Sequence, residues 1–356
     1  MTRLLASILL CALAPMARAD KLVLVAGGGD GGEGAFATEA KLIQPFGVDF
    51  LGDNIVVVEM AKGERVRTFG PQGRIATLAG KVGEKGDAGD GGPGSDARFN
   101  GIHSLAVGPD EQIYVADTWN NRVRIVERRG LLVKPFAGTG EHGFSGDGGP
   151  AAKAKFGGCF CVSFDPAGKN CFITDLDNRR IRKVELATGI VTTVAGSGEK
   201  GVPKNGEQAT NQPLVDPRAH AVDAKGNLYI LERGGHALRA VDAKGAIRTV
   251  AGTGKAGRST GPALESAFNG PKHLCIDKDG SVLIADTENH RIVRYVPGAE
   301  KLVAVAGTGK QGTAGLGGDP LKAEFNQPHG VNVHPKSGAI YISDASNGRV
   351  LKIERE

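Results

Sequence analysis

Short runs of four to six residues, rich in Val, Ile, Leu and aromatic residues, alternate along the chain with turns rich in Gly, Pro, Asn and Asp. Residues 99–140 show the pattern, with runs at 104–107, 112–117, 122–126 and 131–137. Runs of this length between turn residues are typical of antiparallel β-strands. No segment keeps a helical period over ten residues or more. The pattern therefore predicts a four-stranded antiparallel unit.

The unit is repeated along the chain, because an apolar residue followed by Ala-Gly recurs six times, with intervals of 53, 58, 58, 56 and 55 residues between residues 25 and 307. The second strand of each unit ends in a carboxylate, and these residues are Glu59, Asp117, Asp175, Glu232, Asp286 and Asp344. Four-stranded units bury their faces by stacking on one another around a channel. The sequence predicts an all-β fold, a six-bladed β-propeller of four-stranded antiparallel blades.

The two ends of the chain complement each other. The sixth unit stops at its third strand, residues 349–353, and residues 21–25 form a strand with no unit of their own. Pairing of the N-terminal strand into the last blade completes that blade and leaves no open blade at the seam. We therefore expect the N-terminal strand to close the ring.

Residues 1–19 differ in character from the rest, with Arg3 before an apolar run and Ala17-Arg18-Ala19 at its end. This arrangement is typical of a secretory signal peptide, cleaved near Ala19. An apolar run of about 11 residues is shorter than the ~20 that a membrane span needs. We expect residues 20–356 to form one exported propeller, periplasmic or extracellular and monomeric.

Charge and cysteine content narrow the classes of partner. Without Arg3 and Arg18 the chain has 42 Lys and Arg against 39 Asp and Glu, a net charge of +3, which does not favour nucleic-acid binding. Four cysteines remain after the signal peptide, and three of them lie within 13 residues. One local disulfide and buried free thiols are both compatible with this spacing. The four are Cys159, Cys161, Cys171 and Cys275.

Several segments resemble NHL repeats: residues 145–151 (SGDGGPA), residues 327–331 (QPHGV) and residues 340–344 (IYISD), followed by Asn347 and Arg349. The Gly-Asp-Gly-Gly-Pro-Ala loop is most similar to the repeats of teneurins and of many secreted bacterial proteins. Peptidylglycine amidating lyases and gluconolactonase-like propellers are more distant relatives of this family. The resemblance implies the propeller fold and leaves the function open, because one fold hosts many functions.

Acidic residues recur in two settings. In glycine-rich loops, including 87–93, 145–150 and 315–320, Gly permits a tight crossing between blades, and calcium at Asp90 or Asp147 is the alternative. The carboxylates that end the second strands should circle one mouth of the channel, where a metal or a cationic ligand is one interpretation. We expect them instead to pair with an arginine just downstream, at Arg65, Arg122, Arg180, Arg291 or Arg349. The fourth unit has Ala237 at the arginine position, so Glu232 is expected to lack that partner.

One position varies among the six copies, just before each inner strand at the channel mouth: Phe46, His103, Phe160, Arg218, Lys272 and His329. Such variation is compatible with a ligand pocket and equally with plain solvent exposure. The fourth unit deviates most, because Arg218, Glu232 and Arg233 place opposed charges near the mouth. Opposed charges there can bind an anionic or zwitterionic ligand.

Three histidines come from alternate units. His103 and His329 occupy the variable position, and His220 lies two residues beyond it, on the same face if the strand is regular. Three convergent histidines with an open position can hold zinc. Resemblance to the amidating lyases, which hold zinc with channel histidines, implies the same site. The remaining histidines, His142, His273, His290 and His334, are expected to be structural.

Two functions follow as expectations. The first is a binding or interaction module that takes a protein, glycan or small ligand at the channel mouth. The second is a metal-dependent propeller enzyme, a lyase or lactonase, that uses His103, His220 and His329. Detection of bound zinc would distinguish the metal-dependent enzyme from the binding module. The single tryptophan, Trp119, is expected in a loop on the mouth face.

Overall fold

A computed structural model describes residues 20–70 and 73–355, and these residues form a six-bladed β-propeller of antiparallel blades. The fold predicted from the repeat is confirmed. The signal-peptide prediction concerns residues 1–19, which lie outside the described residues.

The first three blades each consist of four consecutive strands. Blade 1 is formed by Pro45–Leu51, Asn54–Glu59, Arg65–Phe69 and Ala76–Gly80. Blade 2 is formed by Ile102–Val107, Ile113–Asp117, Arg122–Val126 and Val133–Ala137. Blade 3 is formed by Cys159–Phe164, Asn170–Asp175, Arg180–Glu185 and Val191–Ala195.

The last three blades follow the same order, with one addition and one substitution. Blade 4 is formed by Pro217–Val222, Leu228–Glu232, Ala237–Val241 and Ile247–Ala251. Blade 5 is formed by His273–Ile276, Val282–Asp286, Arg291–Val296 and Lys301–Ala306, with Gly261–Pro262 on its outer edge. Blade 6 is formed by Pro328–Val333, Ile340–Asp344, Arg349–Glu354 and the N-terminal strand Lys21–Gly27.

Helical structure in the described part of the chain is limited to nine 3-10 helices of three residues each. Six lie in the loops between blades: Ala37–Glu39, Gly94–Asp96, Ala151–Lys153, Ala209–Asn211, Ala263–Glu265 and Pro320–Lys322. Three join second and third strands: Thr118–Asn120, Thr287–Asn289 and Ala345–Asn347. Among the described residues, no helix has the length and hydrophobicity to cross a bilayer.

The N-terminal strand closes the ring as predicted. Lys21–Gly27 pairs antiparallel with Arg349–Glu354, and Leu22 lies opposite Ile353. Leu22 is fully buried in the hydrophobic cluster between blades 5 and 6. The first Ala-Gly therefore belongs to the last blade.

Hydrophobic clusters fill the spaces between neighbouring blades, and one of them spans blades 2 and 3. A large apolar residue shortly before each inner strand, three positions before it in five blades and five positions before it in blade 5, anchors these clusters. These anchors are Leu42, Phe99, Phe156, Leu214, Phe268 and Phe325, and all six are buried. Burial of one such side chain contributes about 1.5–3 kcal/mol, so the anchors fix how each inner strand enters the channel.

The glycine-rich loops seal the outer edges of the blades. The amide of Gly91 donates to the carbonyl of Val133, and the amide of Val133 donates to Gly92. Gly148 and Gly149 make the same pair of bonds with Val191. Gly91 and Gly148 both have φ of +81°, a conformation that favours glycine. These loops cover edges that would otherwise pair with other chains.

The acidic residues of these loops already have cationic partners. Asp90 lies 2.6 Å from Nη2 of Arg124, and Asp147 lies 2.8 Å from Nη2 of Arg182. Both arginines are fully buried. The contacts support the structural interpretation of the loops over the calcium alternative.

The four cysteines are free and buried. The structure thus has the free-thiol alternative and not the local disulfide. Burial raises the pKa of all four thiols, which makes them poor nucleophiles.

Candidate ligand site at the channel mouth

A β-bulge places the variable side chain of most inner strands at the mouth. In blade 2, Ile102 pairs with Asp117 and Ser104 pairs with Ala116, so His103 lies in the bulge. The same irregularity includes Arg218 and His329, and blades 1 and 3 have it around Phe46 and Phe160. Bulges re-aim side chains, and here they direct residues of five blades toward one another.

Five of the six variable side chains contact one another, and we call Phe46, His103, Phe160, Arg218 and His329 the mouth cluster. The rings of Phe46 and His329 stack with centroids 3.7 Å apart, and Phe46 meets His103 edge-on at 5.4 Å. His103 lies 4.6 Å from Phe160. The guanidinium of Arg218 lies 4.2 Å above the Phe160 ring, and its Nη2 lies 3.3 Å from Nε2 of His329.

Gly330 permits the closest of these contacts. A Cβ at this position would lie 2.1 Å from the carbonyl oxygen of Phe46. Glycine therefore allows the inner strands of blades 6 and 1 to approach, and His329, one residue earlier, stacks on Phe46.

The mouth cluster is largely buried. His103, Arg218 and His329 are only 3–4% exposed, while Phe46 and Phe160 are partly exposed. Plain solvent exposure, one of the two interpretations of the variable position, is therefore wrong for these three residues. The sixth variable residue, Lys272, is partly exposed and forms a 2.8 Å ion pair with Glu288 at the side of the cluster.

Burial and positive charge keep the two mouth histidines neutral. Burial lowers the pKa of both His103 and His329 well below the usual value, and the charge of Arg218 lowers both further. Burial also lowers the pKa of Arg218 to about 9, with a further contribution from the charge of Arg233. At neutral pH the mouth cluster thus carries one positive charge, on Arg218.

The carboxylates that end the second strands serve the blades and not the mouth. All six are fully buried. Each lies within ion-pair distance of a buried arginine in the third strand of its own blade, where the pair stabilises the blade. The pairs are Glu59–Arg67, Asp117–Arg124, Asp175–Arg182, Glu232–Arg239, Asp286–Arg291 and Asp344–Arg349. The arginine predicted from the sequence pairs with the carboxylate in blades 1, 2, 5 and 6, whereas in blade 3 Arg182 does so in place of Arg180.

The prediction that Glu232 lacks an arginine was wrong. Arg239 lies two residues beyond Ala237 on the same face of the strand, and its Nη2 is 2.5 Å from Oε2 of Glu232. The buried carboxylate of Glu232 therefore pairs within blade 4 and is not part of the mouth cluster. Arg233 is exposed and pairs with Asp216 at 2.9 Å, and its charge lowers the pKa of Arg218.

The predicted metal site of His103, His220 and His329 does not form. The bulge between Pro217 and Ala219 breaks the regular alternation on which that prediction depended. His220 instead bonds Oγ1 of Thr174 through Nδ1 at 2.8 Å, between blades 3 and 4. Within residues 20–70 and 73–355, no group of three or more His, Cys, Asp or Glu side chains is placed to hold a metal ion.

A cavity of about 260 Å³, which was not predicted from the sequence, lies deeper in the channel. Asp49, Ser163, His220, His273 and Asn332 line it. Within the cavity wall, Oγ of Ser163, Nε2 of His220 and Nδ1 of His273 have no hydrogen-bond partner. The cavity could have been predicted from a second variable position, three residues after the first. Its residues in the six copies are Asp49, Ala106, Ser163, Ala221, Cys275 and Asn332.

Trp119 lies on the rim of the mouth, as expected. Its side chain is 44% exposed, and its ring lies 5.6 Å from that of His103. Lys85 approaches the other side, with Nζ 5.1 Å from the ring centroid. The tryptophan therefore adjoins the mouth cluster and remains open to solvent.

Three segments of the chain match the family model of the NHL repeat, residues 99–126, 268–295 and 325–353. The chain is 26% identical to Protein SUPPRESSOR OF QUENCHING 1, chloroplastic, of Arabidopsis thaliana, over 73% of its own length and 25% of that protein. It is 28% identical to human NHL repeat-containing protein 2, over 74% of its length and 40% of that protein. Human Teneurin-1 is 24% identical over 70% of the chain and 10% of Teneurin-1. The chain thus spans less than half of each of these relatives.

Among solved structures, an auxiliary nutrient binding protein from Bacteroides thetaiotaomicron aligns with a TM-score of 0.68 and 13% identity, covering 95% of this chain and 77% of that one. A virginiamycin B lyase from Staphylococcus aureus aligns with a TM-score of 0.53 and 11% identity, covering 88% and 97%. At these identities the likeness concerns the fold alone. The chain is thus a six-bladed β-propeller in which three segments match the NHL repeat.

Proposed function

We propose that the protein is an exported binding module whose ligand is seated at the mouth cluster. The carrying observation is the convergence of five side chains, each from a different blade, at a position where the copies differ widely in chemical character. A role in stability alone would favour one residue type repeated around the ring, as at the buried carboxylates.

The chemical character of the cluster supports this function. Aromatic surfaces, neutral imidazoles and a guanidinium form a mixed apolar and polar site of the kind that ligand pockets use. The half-exposed Trp119 extends the aromatic surface to the rim. Export rests on the segment 1–19, which is typical of a signal peptide.

The lyase or lactonase alternative loses its basis in this chain, because His220 is held between blades by Thr174. The solved nutrient-binding and lyase propellers share the fold, so neither function transfers by likeness alone.

The single tryptophan provides the test. We would screen the purified protein against amino acids, sugars, dicarboxylates and phosphate esters by thermal shift, and then titrate each hit while recording Trp119 fluorescence. Binding at the mouth should change that fluorescence and should be lost in the double variant Phe46→Ala/His103→Ala. The control is Lys336→Ala, which removes an exposed ion pair with Asp53. Hits that bind the double variant as well as the wild type would refute a mouth site.

A further inference from the structure

We propose that the ligand of the mouth cluster carries an oxyanion, a carboxylate or phosphate group, that pairs with Arg218. The proposal rests on the proposed function and specifies the chemistry of the same site. Three observations carry it: an unmatched buried charge, a pair of unpartnered donors, and the pairing of the neighbouring acids with other cations.

Arg218 differs from the other buried arginines of the protein because it has no acidic partner in the part of the chain that the structure describes. Seven arginines of the described chain are buried: Arg67, Arg124, Arg182, Arg218, Arg239, Arg291 and Arg349. Six of them have a carboxylate of their own blade within 3.6 Å. Arg218 forms no ion pair with any described residue, and its Nη1 has no hydrogen-bond partner. Buried charges in proteins are normally paired, so the structure assigns the missing partner of Arg218 to a ligand.

The second observation concerns hydrogen-bond donors. Nη2 of Arg218 faces Nε2 of His329 at 3.3 Å. Arginine only donates, so Nε2 must accept, and the proton of the neutral His329 ring lies on Nδ1. That Nδ1 is buried without a partner, as is Nη1 of Arg218. The contact pair therefore offers two unsatisfied donors, and a group with acceptor oxygens matches them.

The surroundings favour an anion over a neutral acceptor. Positive charges lie around the mouth: those of Arg218, Lys272 and Arg233 all lower the pKa of His103, and Asp216 only partly offsets the effect of Arg233 on Arg218. The two acids at the border of the mouth already have cationic partners, because Glu288 pairs with Lys272 and Asp216 pairs with Arg233. A positive site with low-dielectric walls attracts anions, and a guanidinium binds carboxylate and phosphate oxygens in a bidentate fashion.

Access requires side-chain rotation. Arg218 is 4% exposed, and its neighbours Phe46 and Phe160 are partly exposed. Rotation of these rings admits a small oxyanion, and Phe160 can still stack on the guanidinium afterwards. A small group at the end of a ligand therefore fits the site better than an anion in the middle of a bulky one.

The test uses inorganic phosphate and succinate as probes, with succinamide as an uncharged match for succinate. Isothermal titration at low ionic strength should detect binding of one or both anions to the wild type and none of succinamide. Binding should weaken at least tenfold in Arg218→Gln. The matched control is Arg248→Gln, an arginine of the same blade whose side chain is 59% exposed, and binding should change less than threefold. Comparison of phosphate with succinate identifies the preferred oxyanion.

The melting temperature without ligand distinguishes a ligand-binding role of Arg218 from a structural one. Arg218→Met keeps the volume and removes the unpaired charge, so it should fold with an unchanged or higher melting temperature and lose the stabilisation by anions. A lower melting temperature together with no anion effect on the wild type would overturn the proposal. If mouth ligands bind Arg218→Gln normally but fail to bind Phe46→Ala/His103→Ala, the oxyanion proposal falls and the binding module stands.

Discussion

Arg239 and Glu232 form a buried ion pair within blade 4, with Nη2 of Arg239 2.5 Å from Oε2 of Glu232. Both side chains are almost fully buried, at 3% and 0% exposure. In blades 5 and 6 the corresponding arginine lies two residues earlier, at Arg291 and Arg349. An ion pair between the second and third strands is therefore present in each blade, although the position of its arginine differs among the blades.

Replacement of Arg239 by Ala should destabilise the protein by about 3–5 kcal/mol, because it leaves the buried carboxylate of Glu232 unpaired. The free energy of unfolding from urea denaturation measures this. Adding Ala237→Arg to Arg239→Ala restores the arrangement of blades 5 and 6 and should recover part of the loss.

The control for this prediction is Arg248→Ala, whose side chain is 59% exposed and whose contact with Glu300 is long, at 4.0 Å. Exposed pairs of this kind contribute about 0–1 kcal/mol. A loss below about 1 kcal/mol in Arg239→Ala would show that the tie does not stabilise blade 4.

Ring closure predicts a strong effect at the N-terminal strand. Deletion of residues 20–25 removes most of the strand that completes blade 6 and opens the edge of Arg349–Glu354. The melting temperature should fall sharply, and the exposed edge should promote aggregation. The point variant Leu22→Ala should cost about 2–5 kcal/mol, because Leu22 is fully buried. Lys21→Ala, at an exposed position of the same strand, is the control, and an unchanged melting curve after the deletion would contradict closure.

The glycine-rich loops give a test of the calcium alternative. Asp147 bonds Arg182 and Oγ1 of Thr193, so we expect EDTA to leave the melting temperature unchanged. Asp147→Asn should cost about 1 kcal/mol, a modest amount because the carboxylate is 37% exposed. Differential scanning calorimetry with and without EDTA and added calcium checks both. A rise in melting temperature with calcium that Asp147→Asn removes would favour calcium binding.

Much of the fold could be predicted from the sequence because each element is repeated. Turn residues bound the strands, and the second strands end at the predicted carboxylates, as in Asn54–Glu59 and Asn170–Asp175. The closing strand could be predicted because a propeller must complete its last blade. These features follow from local pattern and from counting strands.

The site could be predicted only in part. Copy-to-copy variation identified Phe46, His103, Arg218 and His329, which the structure brings together. The orientation of His220 could not be predicted, because a one-residue bulge reverses which face a side chain takes. The partner of Glu232 was missed because either of two positions on one face of the third strand can supply the arginine.

Asp49 links three blades at the seam and supplies a pH-dependent prediction. Its Oδ2 accepts from the amide of Val107 in blade 2 at 2.8 Å, and its Oδ1 accepts from Nδ2 of Asn332 in blade 6 at 3.0 Å. Burial raises the pKa of Asp49 to about 6, and these hydrogen bonds oppose that rise. The folded protein therefore binds the proton of Asp49 more tightly than the unfolded chain, whose Asp titrates near 3.8.

A raised carboxyl pKa makes the contribution of Asp49 to the unfolding free energy fall as pH rises from about 4 to about 6. The fall is up to about 3 kcal/mol at 1.36 kcal/mol per pKa unit. Asp49→Asn removes the titration, so the unfolding free energy of the wild type minus that of the variant should decrease across this interval and be constant above about pH 7. For Asp53→Asn the corresponding difference should be nearly constant from pH 4 to 7, because the bond from Lys336 lowers the pKa of the exposed Asp53 and places its titration below about pH 4. Urea denaturation at pH 4, 5, 6 and 7 measures both differences. If the unfolding free energies of the wild type and Asp49→Asn differ by the same amount from pH 4 to 7, Asp49 has the same pKa in the folded and the unfolded chain, which would contradict the prediction.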